Sequence, residues 1–212
     1  MRYNTQYRSF NTSGYLPNGV KWLLISNVAI FVLFYIGPTA LKENLLMLSL
    51  APVMVLKHFA IWQLGTYMFL HGGIEHILFN MLGLVMFGAD LERVWGQRKY
   101  LAYILVSTIA AGLTQLTATA YTGDVFPTVG ASGGIYGLLL AFALTFPNRV
   151  VTPLFPPIPM RARTFAVVFA GIELFSGITG TASGVAHFAH LGGMVGGFIL
   201  LMLWRLEATT SP

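Results

Sequence analysis

Six stretches of apolar residues run through this sequence, and their length constrains its fold more than any other feature. They lie at residues 20–36, 74–88, 100–121, 131–146, 164–178 and 186–204. A helix needs about 20 apolar residues to cross a hydrocarbon core ~30 Å thick. Only 9% of the residues are charged, whereas a soluble domain has roughly 25%. The pattern predicts an all-α integral membrane protein with six transmembrane helices.

The basic residues are distributed asymmetrically among the segments that connect these stretches. Ten of the twelve Lys and Arg residues fall on alternate segments, namely Arg2, Arg8, Lys21, Arg93, Arg98, Lys99, Arg149, Arg161, Arg163 and Arg205. Only Lys42 and Lys57 fall on the other side. Because basic residues are enriched in cytoplasmic loops, both termini are predicted to be cytoplasmic. The net charge of +5 is then a signal of topology and not of nucleic-acid binding.

The chain is predicted to form one membrane domain at residues 20–205, with short cytoplasmic tails at 1–19 and 206–212. The first span follows ~20 polar residues and lacks a clean cleavage site after it, so it is expected to stay attached. The sequence contains no cysteine, which excludes a disulfide framework, a thiolate nucleophile and a Cys-based metal site. We predict no metal and no cofactor.

The external connection at residues 37–62 is apolar but is interrupted by prolines and charges. The interrupting residues are Pro38, Lys42, Glu43, Pro52 and Lys57. Such a segment is typical of a structure partly sunk in the interface between lipid and water. A packing loop outside the membrane is an alternative that the sequence leaves open.

Four polar residues lie inside the predicted spans and are expected at one depth. With cytoplasmic termini, His76 and Asn80 fall in the outer part of the second span. Ser132 falls at the outer start of the fourth span, and His190 in the outer part of the sixth. Polar side chains in a membrane are costly and usually mark a functional site. We therefore predict a site in the external layer of the membrane.

The residue types in this layer can perform acyl transfer. His76 and Asn80 are four residues apart, so they share a helix face and can both donate hydrogen bonds to one point. Ser132 stands between small residues, in Gly130-Ala-Ser132-Gly133-Gly134, at a predicted helix start. Free backbone N–H groups gather at such a start and can hold an oxyanion. Tyr136, four residues on, shares the face of Ser132.

Simpler interpretations of the same residues stay open. A Gly-Ala-Ser-Gly-Gly run in a span is more often a surface for close helix packing than a nucleophile. An intramembrane histidine can simply donate to a carbonyl of a neighbouring helix, and the glycines of the sixth span favour close packing there. His187, one turn before His190, could also reach Ser132.

Four separated segments resemble the rhomboid intramembrane serine proteases, in their compact bacterial six-helix form. Gly130-Ala131-Ser132-Gly133 resembles the family's GxSG motif, with Tyr136 as the tyrosine that packs on the catalytic imidazole. Ala189-His190, followed by Gly193 and Gly197, resembles the AHxxGxxxG motif of the sixth helix. The resemblance implies that Ser132 is the nucleophile and His190 the general base, and it favours His190 over His187.

Two further segments carry the resemblance through the second helix. His71, His76 and Asn80 match an HxxxxHxxxN motif, in which the last two residues serve the oxyanion and the first braces the neighbouring loop. The turn from Gly88 to Gly96, with Glu92 and Arg93, resembles a structural turn of the family. The sequence departs from the family at Trp62-Gln63, where Trp-Arg is common. The anchoring of the 37–62 loop is therefore expected to differ.

The resemblance implies a rhomboid-like six-helix bundle in a bacterial inner membrane that cleaves single-span membrane proteins in or near their spans. The implied mechanism is a Ser132–His190 dyad without an acidic third member, since no carboxylate is expected near His190. Glu173 is expected to be a buried, hydrogen-bonded or cytoplasm-facing group, and His187 to face the external mouth. The predicted partners are the lipid bilayer and transmembrane substrates, and the oligomeric state is not predicted.

Two other function classes compete with the protease. A rhomboid relative without catalysis would bind membrane clients, but such relatives usually lack the Ser or the His that this chain has. A small transporter or channel would need polar residues that continue into the cytoplasmic half, and often an internal repeat. The sequence shows neither of these features.

Overall fold

The computed structural model describes residues 15–123, 126–154, 156–181 and 184–210, and these residues form a helical bundle. The helices are α1 (Asn18–Ile36), α2 (Thr39–Leu46), α3 (Pro52–His58), α4 (Gln63–Thr66), α5 (Ile74–Trp95), α6 (Gln97–Thr122), α7 (Ser132–Thr145), α8 (Ala162–Thr179) and α9 (His187–Thr210). A 3₁₀ turn, Tyr67–Phe69, follows α4. A short antiparallel ribbon of β1 (Val150–Val151) and β2 (Met160–Arg161) precedes α8. The predicted all-α membrane fold is confirmed.

Most of the predicted N-terminal tail lies outside the described residues. At the other end of the chain, α9 continues to Thr210, through most of the segment predicted as a C-terminal tail.

In the described chain, five helices are long and apolar enough to cross a membrane, namely α1, α5, α6, α8 and α9. The sixth predicted span, α7, has only 14 residues. At 1.5 Å per residue its length is ~21 Å, less than the ~30 Å of a hydrocarbon core. Just beyond its C-terminal end, Arg149 pairs with Asp90 at 2.6 Å. Because that charged end belongs at a membrane surface, the Ser132 end of α7 lies inside the membrane layer.

The second span is longer than predicted, because its charged residues have partners. The apolar pattern ends at Gly88, whereas α5 continues to Trp95. Asp90 pairs with both Arg93 and Arg149. The carboxylate of Glu92 is buried and accepts hydrogen bonds from the backbone N–H groups of Gly19, at 2.7 Å, and Val20, at 2.8 Å. A carboxylate at a helix N-terminus satisfies free donors and interacts favourably with the helix dipole, so Glu92 fixes α1 to α5.

Glycines let α9 pack against α6 and α7 at the closest possible distance. A Cβ atom added at Gly193 would overlap the backbone oxygen of Gly133 on α7. One added at Gly197 would overlap the Tyr103 hydroxyl on α6. Contact between backbones is how helices associate in membranes, where burial of apolar surface gives little driving force. The predicted structural roles of Gly193 and Gly197 correspond to these contacts, which also set the position of His190, one turn before Gly193.

The 37–62 connection contains α2 and α3 and is held from beneath by Gln63. The buried Gln63 carboxamide donates to the Met47 carbonyl at 3.0 Å and accepts from the Ala51 backbone N–H at 3.0 Å. The departure from Trp-Arg to Trp-Gln thus keeps an anchor for this loop, made of neutral hydrogen bonds. Phe59 and Ile61 are exposed, as expected for a segment in contact with lipid headgroups and acyl chains.

We expect replacement of Glu92 by Ala to destabilise the bundle, because it leaves the first N–H groups of α1 without acceptors. The expected loss is at least about 2 kcal/mol, the magnitude of a lost charge-assisted cap. Thermal unfolding of the detergent-solubilised protein measures this loss. Glu43→Ala is the matched control, since Glu43 is an exposed carboxylate on α2. Equal melting temperatures for the two variants would contradict the capping role.

Candidate active site

Ser132 and His190 are in contact at the N-terminal ends of α7 and α9. The Ser132 Oγ atom lies 2.7 Å from the His190 Nε2 atom. Ser132 is the first residue of α7. The chain reaches this position through Gly130, whose φ of +119° is a conformation that side chains disfavour. The N–H groups in the first turn of α7 have no acceptor within that helix, so they are available to an anion next to Ser132.

A cavity of about 880 Å³ opens beside this pair. Its lining includes Ser132, His190 and His76, together with residues 126–130 before α7. The His76 Nδ1 atom accepts a hydrogen bond from the Gly72 N–H at 3.3 Å. A neutral imidazole carries one proton, so this bond leaves the proton on Nε2. A Cβ atom at Gly130 would lie 2.5 Å from this Nε2 atom, which shows that the donor faces the turn before Ser132.

Asn80 lies one turn beyond His76 and is buried. Its Nδ2 atom donates to the His76 carbonyl at 2.7 Å. Asn80 is not among the described residues that line the cavity. His76 therefore lies on the cavity wall with Ser132 and His190, and Asn80 lies one turn further along the same helix. One N–H of the Asn80 amide remains available for a further acceptor.

The ring of Tyr136 stacks on the imidazole of His190, which is the position that the resemblance implies. The two ring centroids are 4.3 Å apart, and the planes differ by 6°. The Tyr136 hydroxyl donates to the Oε1 atom of Glu173. Tyr136 thus limits rotation of the His190 ring and links that ring to α8.

The expectation that no carboxylate lies near His190 is wrong. The Glu173 Oε2 atom is 3.0 Å from the His190 Nδ1 atom. Glu173 is six residues before the end of α8, and His190 is three residues after the start of α9. Because α8 and α9 are consecutive helices, these offsets of ~9 Å and ~4.5 Å from their adjoining ends place both residues at the same end of the bundle. Counting from the connection between the fifth and sixth predicted spans could have shown from the sequence that the two residues share a depth.

From the sequence, His187 is expected to face the external mouth of the site, but its ring contacts Glu173 and Thr181. Its Nδ1 atom is 2.6 Å from the same Glu173 oxygen, and its Nε2 atom is 3.1 Å from the Thr181 carbonyl. His187 is absent from the described cavity lining. The choice of His190 over His187 as the partner of Ser132 agrees with these contacts.

Glu173, His187 and His190 are also the described residues that could hold a metal ion, since their ligand atoms lie within 4.8 Å of one another. Their direct contacts of 2.6 and 3.0 Å are typical of charge-assisted hydrogen bonds or ion pairs between the side chains themselves. We therefore interpret the cluster as an arrangement of two imidazoles around one carboxylate.

Comparison with known proteins agrees with the motifs. The family model for the Rhomboid domain matches residues 58–206. The rhomboid protease GluP of Bacillus subtilis is 33% identical over 65% of this chain, which spans 25% of that protein. The rhomboid protease AarA of Providencia stuartii is 29% identical over 87% of this chain, which spans 71% of that protein. RHOMBOID-like protein 1 of Arabidopsis thaliana is 30% identical over 78% of this chain, which spans 40% of that protein.

His71, the residue expected to brace the neighbouring loop, generates a prediction about acid stability. It is buried in the connection before α5, with its ring centroid 5.1 Å from that of His76. Burial, reinforced by the charge of His76, lowers the pKa of His71 from 6.5 to about 4. Between these two pH values the unfolded chain binds a proton that the folded chain does not. Folding stability therefore falls as the pH drops from 6.5 to 4, by up to about 3 kcal/mol.

We expect His71→Gln to reduce this loss, because glutamine has no proton to gain. The measurement is the difference in melting temperature between pH 7.5 and pH 4.5 in detergent, which is independent of any constant destabilisation by the substitution. His58→Gln is the matched control, since His58 is exposed on α3. A His71 variant that loses as much stability as the wild type would refute this assignment.

Proposed function

The chain belongs to the rhomboid family, and we propose that it is a serine endopeptidase that cleaves single-span membrane proteins in or near their transmembrane segment. The observation that carries this proposal is the 2.7 Å contact between Ser132 Oγ and His190 Nε2 on the wall of a cavity. A protein that only binds clients would need neither this contact nor its donors. We propose further that the termini are cytoplasmic and that the site faces the outer side of a bacterial inner membrane.

In the first half of the reaction, Ser132 Oγ attacks the scissile carbonyl carbon while His190 Nε2 takes the hydroxyl proton. The carbonyl oxygen becomes an oxyanion. The Ser132 backbone N–H, the His76 Nε2–H and the Asn80 amide would donate hydrogen bonds to it. His190 then gives its proton to the departing amine as the carbon–nitrogen bond breaks, which leaves an acyl group on Ser132.

In the second half, His190 takes a proton from water, and the resulting nucleophile attacks the acyl carbon. The ester bond to Ser132 breaks, and His190 returns its proton to the serine oxygen. Water must therefore reach a site inside the membrane layer. The cavity beside Ser132 is large enough for several water molecules, because one water occupies ~30 Å³ in the liquid.

A substrate helix has to unwind before it can react. Within a helix each carbonyl accepts a backbone hydrogen bond and is shielded by side chains, so Ser132 could not approach its carbon. Gly and Pro disfavour helix by about 1 and about 3 kcal/mol relative to Ala. We propose that segments containing these residues near the outer end of a span are the preferred substrates, with small residues at the cut.

We expect Ser132→Ala and His190→Ala each to lower the cleavage rate of a model single-span substrate in proteoliposomes by at least about 10³-fold, because each removes one half of the dyad. Labelling by a fluorophosphonate should disappear in Ser132→Ala. Ser26→Ala on α1 and His58→Ala on α3 are matched controls that should cleave and label normally. Normal turnover by Ser132→Ala would exclude the proposed protease.

The oxyanion donors have a separate test. We expect His76→Ala to lower kcat about 10²-fold, the usual effect of removing one such donor. Asn80→Ala should also lower kcat, and the double variant should lose less than the product of the two single losses, because both donors address one oxygen. Asn44→Ala, at an exposed amide on α2, is the control. Wild-type kcat in the double variant would remove both residues from the mechanism.

A further inference from the structure

Glu173 completes a line of three side chains that begins at Ser132. The Oγ atom of Ser132 contacts one nitrogen of His190 at 2.7 Å, and a Glu173 oxygen lies 3.0 Å from the other. We propose that Glu173 is a positioning residue for His190, so that the site works as a Ser–His–Glu triad. This proposal rests on the proposed function, since it assigns His190 the role of general base.

The carboxylate can act on His190 in two ways. Its negative charge favours the tautomer that carries the proton on Nδ1, which leaves the lone pair of Nε2 for the Ser132 proton. It also stabilises the imidazolium that forms when His190 accepts that proton, because the two charges lie 3.0 Å apart in a site of low dielectric. The contact is an ion-pair contact without an aligned hydrogen bond, since His190 Nδ1 makes no hydrogen bond with the described residues.

Both oxygens of Glu173 are held by other members of the site. Oε1 accepts from the Tyr136 hydroxyl, and Oε2 contacts His187 Nδ1 at 2.6 Å. His187 is itself fixed by the Thr181 carbonyl at 3.1 Å. A carboxylate with two partners loses little conformational freedom when it acts on a third, so its distance from His190 is set before the substrate arrives.

Glu173 and His190 are both buried, so their contact differs from an ion pair at the protein surface. Glu173 is 6% exposed and His190 is 7% exposed. A charge in such surroundings is costly unless it has partners, and its interaction with a nearby opposite charge is stronger than in water. Glu173 is not among the described residues of the cavity wall. It therefore influences the reaction through His190 and not through contact with the substrate.

A purely structural role is the rival explanation, since Glu173 also links α8 to α7 and α9. The two explanations differ in their kinetic consequences. A structural defect would lower stability and weaken substrate binding together with turnover. Loss of positioning would lower turnover and the nucleophilicity of Ser132, while leaving stability and KM almost unchanged.

The test is steady-state cleavage of a model single-span substrate by Glu173→Gln, with kcat and KM determined separately. Glutamine has the same shape and can still accept from Tyr136, but it carries no charge. We expect kcat to fall at least about tenfold, and the rate of fluorophosphonate labelling to fall in parallel. The KM and the melting temperature should stay near their wild-type values. Glu43→Gln is the matched control, since Glu43 is an exposed carboxylate on α2.

Wild-type kcat in Glu173→Gln would overturn the proposal. If that variant does not fold, Tyr136→Phe decides, because it keeps the stacked ring but removes one support of the carboxylate. A reduced kcat at constant KM supports the proposal, and an unchanged kcat overturns it. Ser132→Ala, measured in parallel, distinguishes failure of the triad from failure of the proposed protease function. Cleavage by Ser132→Ala would sink the protease itself, whereas an inactive Ser132→Ala beside a fully active Glu173→Gln would refute the triad alone.

Discussion

Close backbone contact between α9 and its neighbours is the interaction on which the rest of this structure depends. Glycines on α9 meet the backbone of α7 on one side and the side chains of α6 on the other. In a membrane such contact is a main source of helix association, because lipid tails are as apolar as the helix surface. The same contact brings His190 to Ser132, since Gly193 is one turn from His190 and Gly133 adjoins Ser132. The packing of the helices and the geometry of the Ser132–His190 pair thus have one origin.

Two buried carboxylates show how the bundle accommodates charge in its interior. Glu92 has two backbone N–H donors from α1, and Glu173 has Tyr136 and His187. In both places a carboxylate on one helix accepts hydrogen bonds from, or contacts, polar groups on another helix. These partners offset the free-energy cost of burying the charge. The first arrangement stabilises the fold. The second lies against the imidazole that we assign as general base.

The 37–62 connection is linked to the same site. Gln63 holds the loop from beneath, and Leu50 and Thr128 exchange backbone hydrogen bonds of 3.0 and 2.9 Å. Thr128 belongs to the segment that lines the cavity and leads into α7. These hydrogen bonds join the loop to the segment before Ser132.

Hydropathy predicted six spans, and the described chain has five helices long enough to cross a membrane and a sixth, shorter apolar helix. Of the four polar residues predicted at one depth, Ser132, His76 and His190 line one cavity and Asn80 does not. The physical reason is that a membrane imposes fixed span lengths and makes each buried polar residue conspicuous. The end of the second span was misjudged, because the partners that let Asp90, Glu92 and Arg93 continue a helix are distant in sequence. The sequence alone also missed Glu173 as a neighbour of His190. That contact depends on the rotation of α8 about its axis and on rotamers held by Tyr136 and His187, and only tertiary packing decides both.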